Sequence, residues 1–161
     1  MTFVLRHLLL LLAMFVSSGA FAEPLLPIEK SFVMSDGTSY LVRLKQELPA
    51  RLSDKSFQKY GHWGATGRNP SYCVSSFTVT RRNIAVHVNE KAFLDLCNVS
   101  SLELSERNGR FIVSLEGGDA GDSFSAQYQF QGAYLLERMV RHGEFPDVYE
   151  RTLYSHNTHD D

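Results

Sequence analysis

Between Phe32 and Tyr154 the chain repeatedly alternates apolar and polar positions, which is the pattern of strands with one buried face. Phe32 and Met34 alternate up to Ser35-Asp36-Gly37-Thr38, and Tyr40, Val42 and Leu44 alternate after it, predicting a hairpin around an Asp-Gly turn. Cys73, Ser75, Phe77 and Val79 share a face in the next run, and Ile84, Val86 and Val88 share one in the run after Arg82-Asn83. Leu102 and Leu104 should meet Phe111, Val113 and Leu115 across Asn108-Gly109, a dipeptide that readily takes positive φ. Phe124, Ala126, Tyr128 and Phe130 alternate with Ser125, Gln127 and Gln129. A turn near Gln131-Gly132 then leads into a strand over 134–141, and a last strand spans 148–154. The expectation is a mainly β fold: an antiparallel meander of about eight short strands closing into a sandwich or a small barrel, with one or two short helices.

Three stretches depart from alternation. Glu23 to Glu29 contains Pro24 and Pro27 and reads as an extended leader. Ser53 is placed to cap a short helix over 54–60. Within 90–97, Ala92, Phe93, Leu96 and Cys97 fit a helical stripe, predicting a second short helix.

The apolar run from Leu8 to Val16 follows Arg6 and His7 and precedes Ser17, Ser18, Gly19 and the triplet Ala20-Phe21-Ala22. That order is the layout of a secretory signal peptide cleaved after Ala22, and the run is too short to cross a bilayer as a helix. No cysteine follows the cleavage point to take a lipid. The expected organisation is a signal peptide over 1–22, a single β-rich domain over 23–154 and a polar tail over 155–161. The expected location is the periplasm or the medium.

Export changes the reading of Cys73 and Cys97, the only two cysteines. In an oxidising compartment they should form a disulfide, worth roughly 3 to 4 kcal/mol by loop-closure entropy. Their spacing matches no zinc-ligand pattern and neither lies in a nucleophile motif.

The formal net charge of −2, with Arg81-Arg82 as the one adjacent Arg pair, gives no electrostatic footprint for nucleic acid or an anionic membrane. A glycine-rich phosphate loop, a Gly-x-Ser-x-Gly elbow and a His-Glu-x-x-His helix are all missing from the sequence, so no cofactor or metal is expected. The two carboxylates of 117–123 lack calcium-loop spacing and read as a strand connection. His156, His159, Asp160 and Asp161 have metal-ligand chemistry but sit in a polar tail. Asn98-Val99-Ser100 fits the glycosylation pattern, which matters only in a eukaryotic secretory pathway.

The segment 61–70, with three glycines and Pro70, resists regular structure and carries the single tryptophan. His62, Trp63 and Arg68, with Tyr60 and Tyr72 on either side, have the chemistry of a contact surface. The competing expectation is that Trp63 folds back as a lid on the sheet. Glu144-Phe145-Pro146-Asp147 poses the same choice between a contact and a corner plug.

These features favour a non-catalytic periplasmic binding protein whose partner is another envelope protein, as an inhibitor or immunity-type partner would be. Two alternatives stay open. One is a periplasmic hydrolase using His62 or His87 with a nearby carboxylate. The other is a structural component that assembles with itself.

Overall fold

The computed structural model describes residues 25–48, 63–64 and 72–155. The predicted signal peptide, the helix over 54–60 and the histidines of the tail lie outside them.

Nine strands form two antiparallel sheets, one in the order β1-β2-β3-β4 and one in the order β5-β6-β7-β8-β9. Strands β1 (Ile28–Val33), β2 (Ser39–Glu47), β3 (Cys73–Arg81) and β4 (Ile84–Val86) make the smaller sheet. Strands β5 (Val99–Arg107), β6 (Arg110–Gly117), β7 (Phe124–Gln131), β8 (Tyr134–His142) and β9 (Tyr149–Leu153) make the larger. The sheets do not close on one another, so the architecture is a sandwich rather than a barrel. No helix among the described residues is long and apolar enough to cross a membrane.

Turn chemistry sets the hairpins. Asn108 and Gly109 have φ of 53° and 69°, and Arg107 pairs with Arg110 across them, which is the two-residue turn that matches strand twist. Arg82 and Asn83 make an equivalent turn at φ 48° and 65°. The Asp36-Gly37 turn is longer: Met34 N–H donates to the Thr38 carbonyl, Gly37 takes φ 80°, and Asp36 Oδ1 accepts from Thr38 N–H at 2.8 Å.

The core lies between the sheets. Tyr40, Val42 and Leu44 of β2 and Phe77 and Val79 of β3 face Phe111, Val113 and Leu115 of β6 and the alternating apolar face of β7. Tyr40 stacks on Phe111 with centroids 4.0 Å apart, and Phe77 meets Tyr128 at 4.9 Å. Gln46, buried at the edge of this layer, exchanges two 2.8 Å hydrogen bonds with the backbone of Val99, so both its amide oxygen and nitrogen tie β2 to the start of β5.

Three expectations are corrected. The register of β2 and β3 shifts between Lys45 and Gln46, leaving Ser75 as the extra residue of a bulge and turning Val74 inward in its place. Ile84 does not share a buried face with Val86, because β4 is only three residues long and Ile84 sits beside the turn, 71 % exposed. The helix over 90–97 is a single 3-10 turn, Glu90–Ala92, capped by Asn89. The chain then has to be extended by Leu96, where it pairs with its neighbours on both sides.

Candidate functional site

Residues 95–98 form the middle of a small three-part ladder. On one side, Trp63 N–H donates to the Asp95 carbonyl at 2.8 Å and Cys97 N–H to the Trp63 carbonyl at 2.9 Å. On the other side, Val74 N–H donates to the Leu96 carbonyl and Asn98 N–H to the Tyr72 carbonyl at 2.6 Å. The Cys73–Cys97 disulfide joins the same two segments. Trp63 is half-buried and packs against the core cluster. Tyr72 lies at the opposite flank of the ladder, also half-buried.

Asn98 holds both ends of the connection between them. Its Nδ2 donates to the Gly64 carbonyl at 2.9 Å and its Oδ1 accepts from Tyr72 N–H at 3.2 Å. It does so at φ 52°, a conformation asparagine tolerates better than most residues. Both polar atoms of the amide in the glycosylation-type triplet are therefore engaged in this neck. Gly64, at φ +82°, packs so closely that a Cβ would collide with the Cys97 carbonyl and the Phe124 ring. His62 and Arg68, the other two predicted contact residues, lie outside the described residues.

Beside the neck runs an open groove of about 450 Å³ at the end of the larger sheet. It is reached from Asn98 through Gly118, whose N–H donates to the Asn98 carbonyl. Glu116, Ser125 and Arg141 stand in one cross-strand row across β6, β7 and β8, and Ser100, Ser123 and His142 complete its polar lining. His142 Nδ1 accepts from the N–H groups of Glu144 and Phe145, both at 3.2 Å, which shapes the loop leading to β9. Phe145 lies beside the His142 ring at 5.1 Å and remains 59 % exposed.

Asp95, whose carbonyl accepts from Trp63 N–H, belongs to a buried charge network that the sequence did not announce. Arg138 of β8, 2 % exposed, gives its Nη2 to both oxygens of Asp95 at 2.5 and 2.6 Å and its Nη1 to Glu150 at 2.6 Å. Its Nε has no hydrogen-bond partner among the described residues. Burial pushes the Asp95 carboxyl above its ordinary pKa, with the Arg138 charge pulling it back in part. Burial also raises the Tyr128 phenol, whose hydroxyl donates to the Ala92 carbonyl at 2.6 Å.

His87 is exposed just past β4, and no hydrogen bond or ion pair joins it to a carboxylate among the described residues. No cluster of three or more histidine, cysteine or acidic side chains with metal-holding geometry occurs among the described residues. Asp119 precedes and Asp122 ends a 3-10 turn, Ala120–Asp122, in the connection from β6 to β7.

No family model, curated protein or solved structure matches this chain.

Proposed function

We propose that the protein is an exported, non-catalytic binding protein of the periplasm whose partner is another envelope protein. The observation that carries this reading is the double clamp by Asn98. It draws Gly64 and Tyr72 to one stapled segment of a β scaffold, so the two ends of the connection between them are held together, with the polar groove alongside. Connections with closed ends, displayed on a rigid framework, are where recognition residues concentrate. Trp63 at the neck and Arg141 in the groove supply the aromatic and guanidinium chemistry that dominates binding hot spots. Arg68, between the clamped ends in sequence, belongs to the same proposal.

The test is recovery of a partner from periplasmic extract by the tagged, folded protein, followed by measurement with the two purified components. A stoichiometric complex weakened about tenfold or more by Trp63→Ala or Arg141→Ala, and left unchanged by Glu103→Ala on β5, supports the reading. A folded bait that recovers nothing, or a complex indifferent to both substitutions, overturns it.

A further inference from the structure

Strand β9 ends the larger sheet, and its outer side is unpaired among the described residues. Its orientation follows from two ladder bonds: His142 N–H donates to the Val148 carbonyl, and Tyr154 N–H to the Leu136 carbonyl. Tyr149 and Leu153, opposite Arg141 and Glu137, are then the non-bonded pairs of this ladder. The N–H and C=O groups of Tyr149, Arg151 and Leu153 therefore point away from β8. The side chains of the same three residues stand on the outer face of the sheet, where Tyr149 lies under Arg141 and Arg151 reaches Glu137.

Sheet edges in monomeric proteins are blunted by charge, proline or cover. Here Tyr149 and Leu153 are 55 % and 66 % exposed. The exposed Tyr149 and Leu153 would suit a second copy, but the charges of β9 oppose one. Antiparallel self-pairing that sets Tyr149 against Leu153 places Arg151 directly against its own counterpart. One neighbouring register places Glu150 against Glu150, and the other overlaps the two strands only over Arg151 to Leu153. Like charges directly opposite destabilise a strand pair.

The same charges suit a foreign strand. Arg151 Nε and Nη2 are taken by Glu137, leaving Nη1 without a described partner, and Arg141 adds a second cation beside Tyr149. Asp147 and Glu144 lie only beyond the N-terminal end of the strand. The acidic residue of an incoming strand thus belongs opposite Arg151, with apolar residues two positions away on each side to cover Tyr149 and Leu153.

We propose that β9 is a docking edge that takes an extended segment of a partner protein as a tenth strand, with the side-chain order apolar, acidic, apolar on the outer face. Main-chain hydrogen bonds supply the general attraction and the alternate side chains the selectivity, as in other strand additions. This rests on the binding reading above for the existence of a partner, and it adds how part of that partner is held. The edge adjoins the groove through Arg141, so a strand on β9 continues toward the neck.

The probe is a capped synthetic peptide, Thr-Val-Thr-Glu-Thr-Leu-Thr, compared with its counterpart carrying Lys in place of Glu. Binding is read from amide shifts and hydrogen exchange across the isotope-labelled protein. The expected result is slowed exchange at Tyr149, Arg151 and Leu153 with the Glu peptide, and affinity for the Lys peptide lower by about tenfold. Leu153→Pro, which removes an outward N–H and leaves the β8 ladder intact, should abolish binding while the remaining spectrum is preserved. Arg151→Gln should erase the preference between the two peptides. Shifts confined to another surface, equal binding of both peptides, or no binding by a folded protein overturns the docking mode. A concentration-dependent dimer lost in Leu153→Pro instead assigns the edge to a second copy and also overturns it. The experiment uses no natural partner, so its failure leaves the recovered complex of the preceding section standing as a separate result.

Discussion

Arg138 and Asp95, 43 residues apart in the chain, meet in a buried ion pair in which Nη2 reaches both carboxylate oxygens, and the Asp95 carbonyl accepts from Trp63 N–H. The guanidinium is 2 % exposed and the carboxylate side chain 10 %, so neither can be satisfied by water if the other is removed. Asp95→Ala should cost about 3 kcal/mol in urea unfolding, because it leaves the buried Nη2 without its carboxylate while Glu150 still holds Nη1. Replacing both, as Asp95→Leu with Arg138→Met, should recover most of that loss. A double variant no more stable than Asp95→Ala would show that the pair matters for something other than its desolvation.

Two carboxylates should give stability opposite slopes in acid. Burial, the largest influence on Asp95, raises its folded pKa above 3.8, so the folded state binds the proton more tightly and stability falls as pH rises through the window above that value. The backbone hydrogen bond from Thr38, the largest influence on Asp36, lowers its pKa below 3.8, so its contribution is present above that value and is lost as pH falls through the window beneath it. Urea midpoints across the acid range should lose the first slope in Asp95→Asn and the second in Asp36→Asn. Unchanged profiles would contradict both assignments.

The disulfide closes a separation of 24 residues and holds Tyr72 and Asn98 in one ladder. Cys73→Ala with Cys97→Ala should lower stability by roughly 3 to 4 kcal/mol under oxidising conditions, measured by urea titration with and without reductant. The reductant should shift the natural protein and leave the double variant unmoved.

Asn98 offers a sharper test of the neck. Asn98→Gly keeps the positive φ accessible and removes both side-chain bonds, so it should leave the global unfolding transition within about 1 to 2 kcal/mol while speeding hydrogen exchange at Tyr72 and proteolysis between Gly64 and Tyr72. Asn98→Asp retains the acceptor for Tyr72 and should loosen the Gly64 end alone. Equal exchange rates at Tyr72 in the natural protein and Asn98→Gly would remove the clamp from the account.

What was legible along the chain was local. The apolar face of β7 and the Asn108-Gly109 turn follow from alternation with a period of two and from residues that accept positive φ, and neither depends on distant partners. Cys73 and Cys97 were readable as a pair because a chain whose N-terminal pattern reads as a signal peptide has few other expected uses for two cysteines. The choice between sandwich and barrel, the inward turn of Val74 at the Ser75 bulge, and the shortness of the Glu90–Ala92 turn were not legible, since each depends on where a strand from elsewhere in the chain comes to lie. Arg138 is the plainest case. In sequence it sits among Glu137, Met139 and Val140 like any solvent-facing arginine, yet the register of β8 against β7 places it opposite the buried Tyr128. Short-range pattern and turn chemistry decided that this would be a pleated protein with a disulfide. Only the packing of the two sheets decided which polar groups lost their water and had to find Asp95, Val99 or Gly64 instead, because desolvation is a property of the assembled layers and not of any stretch of chain.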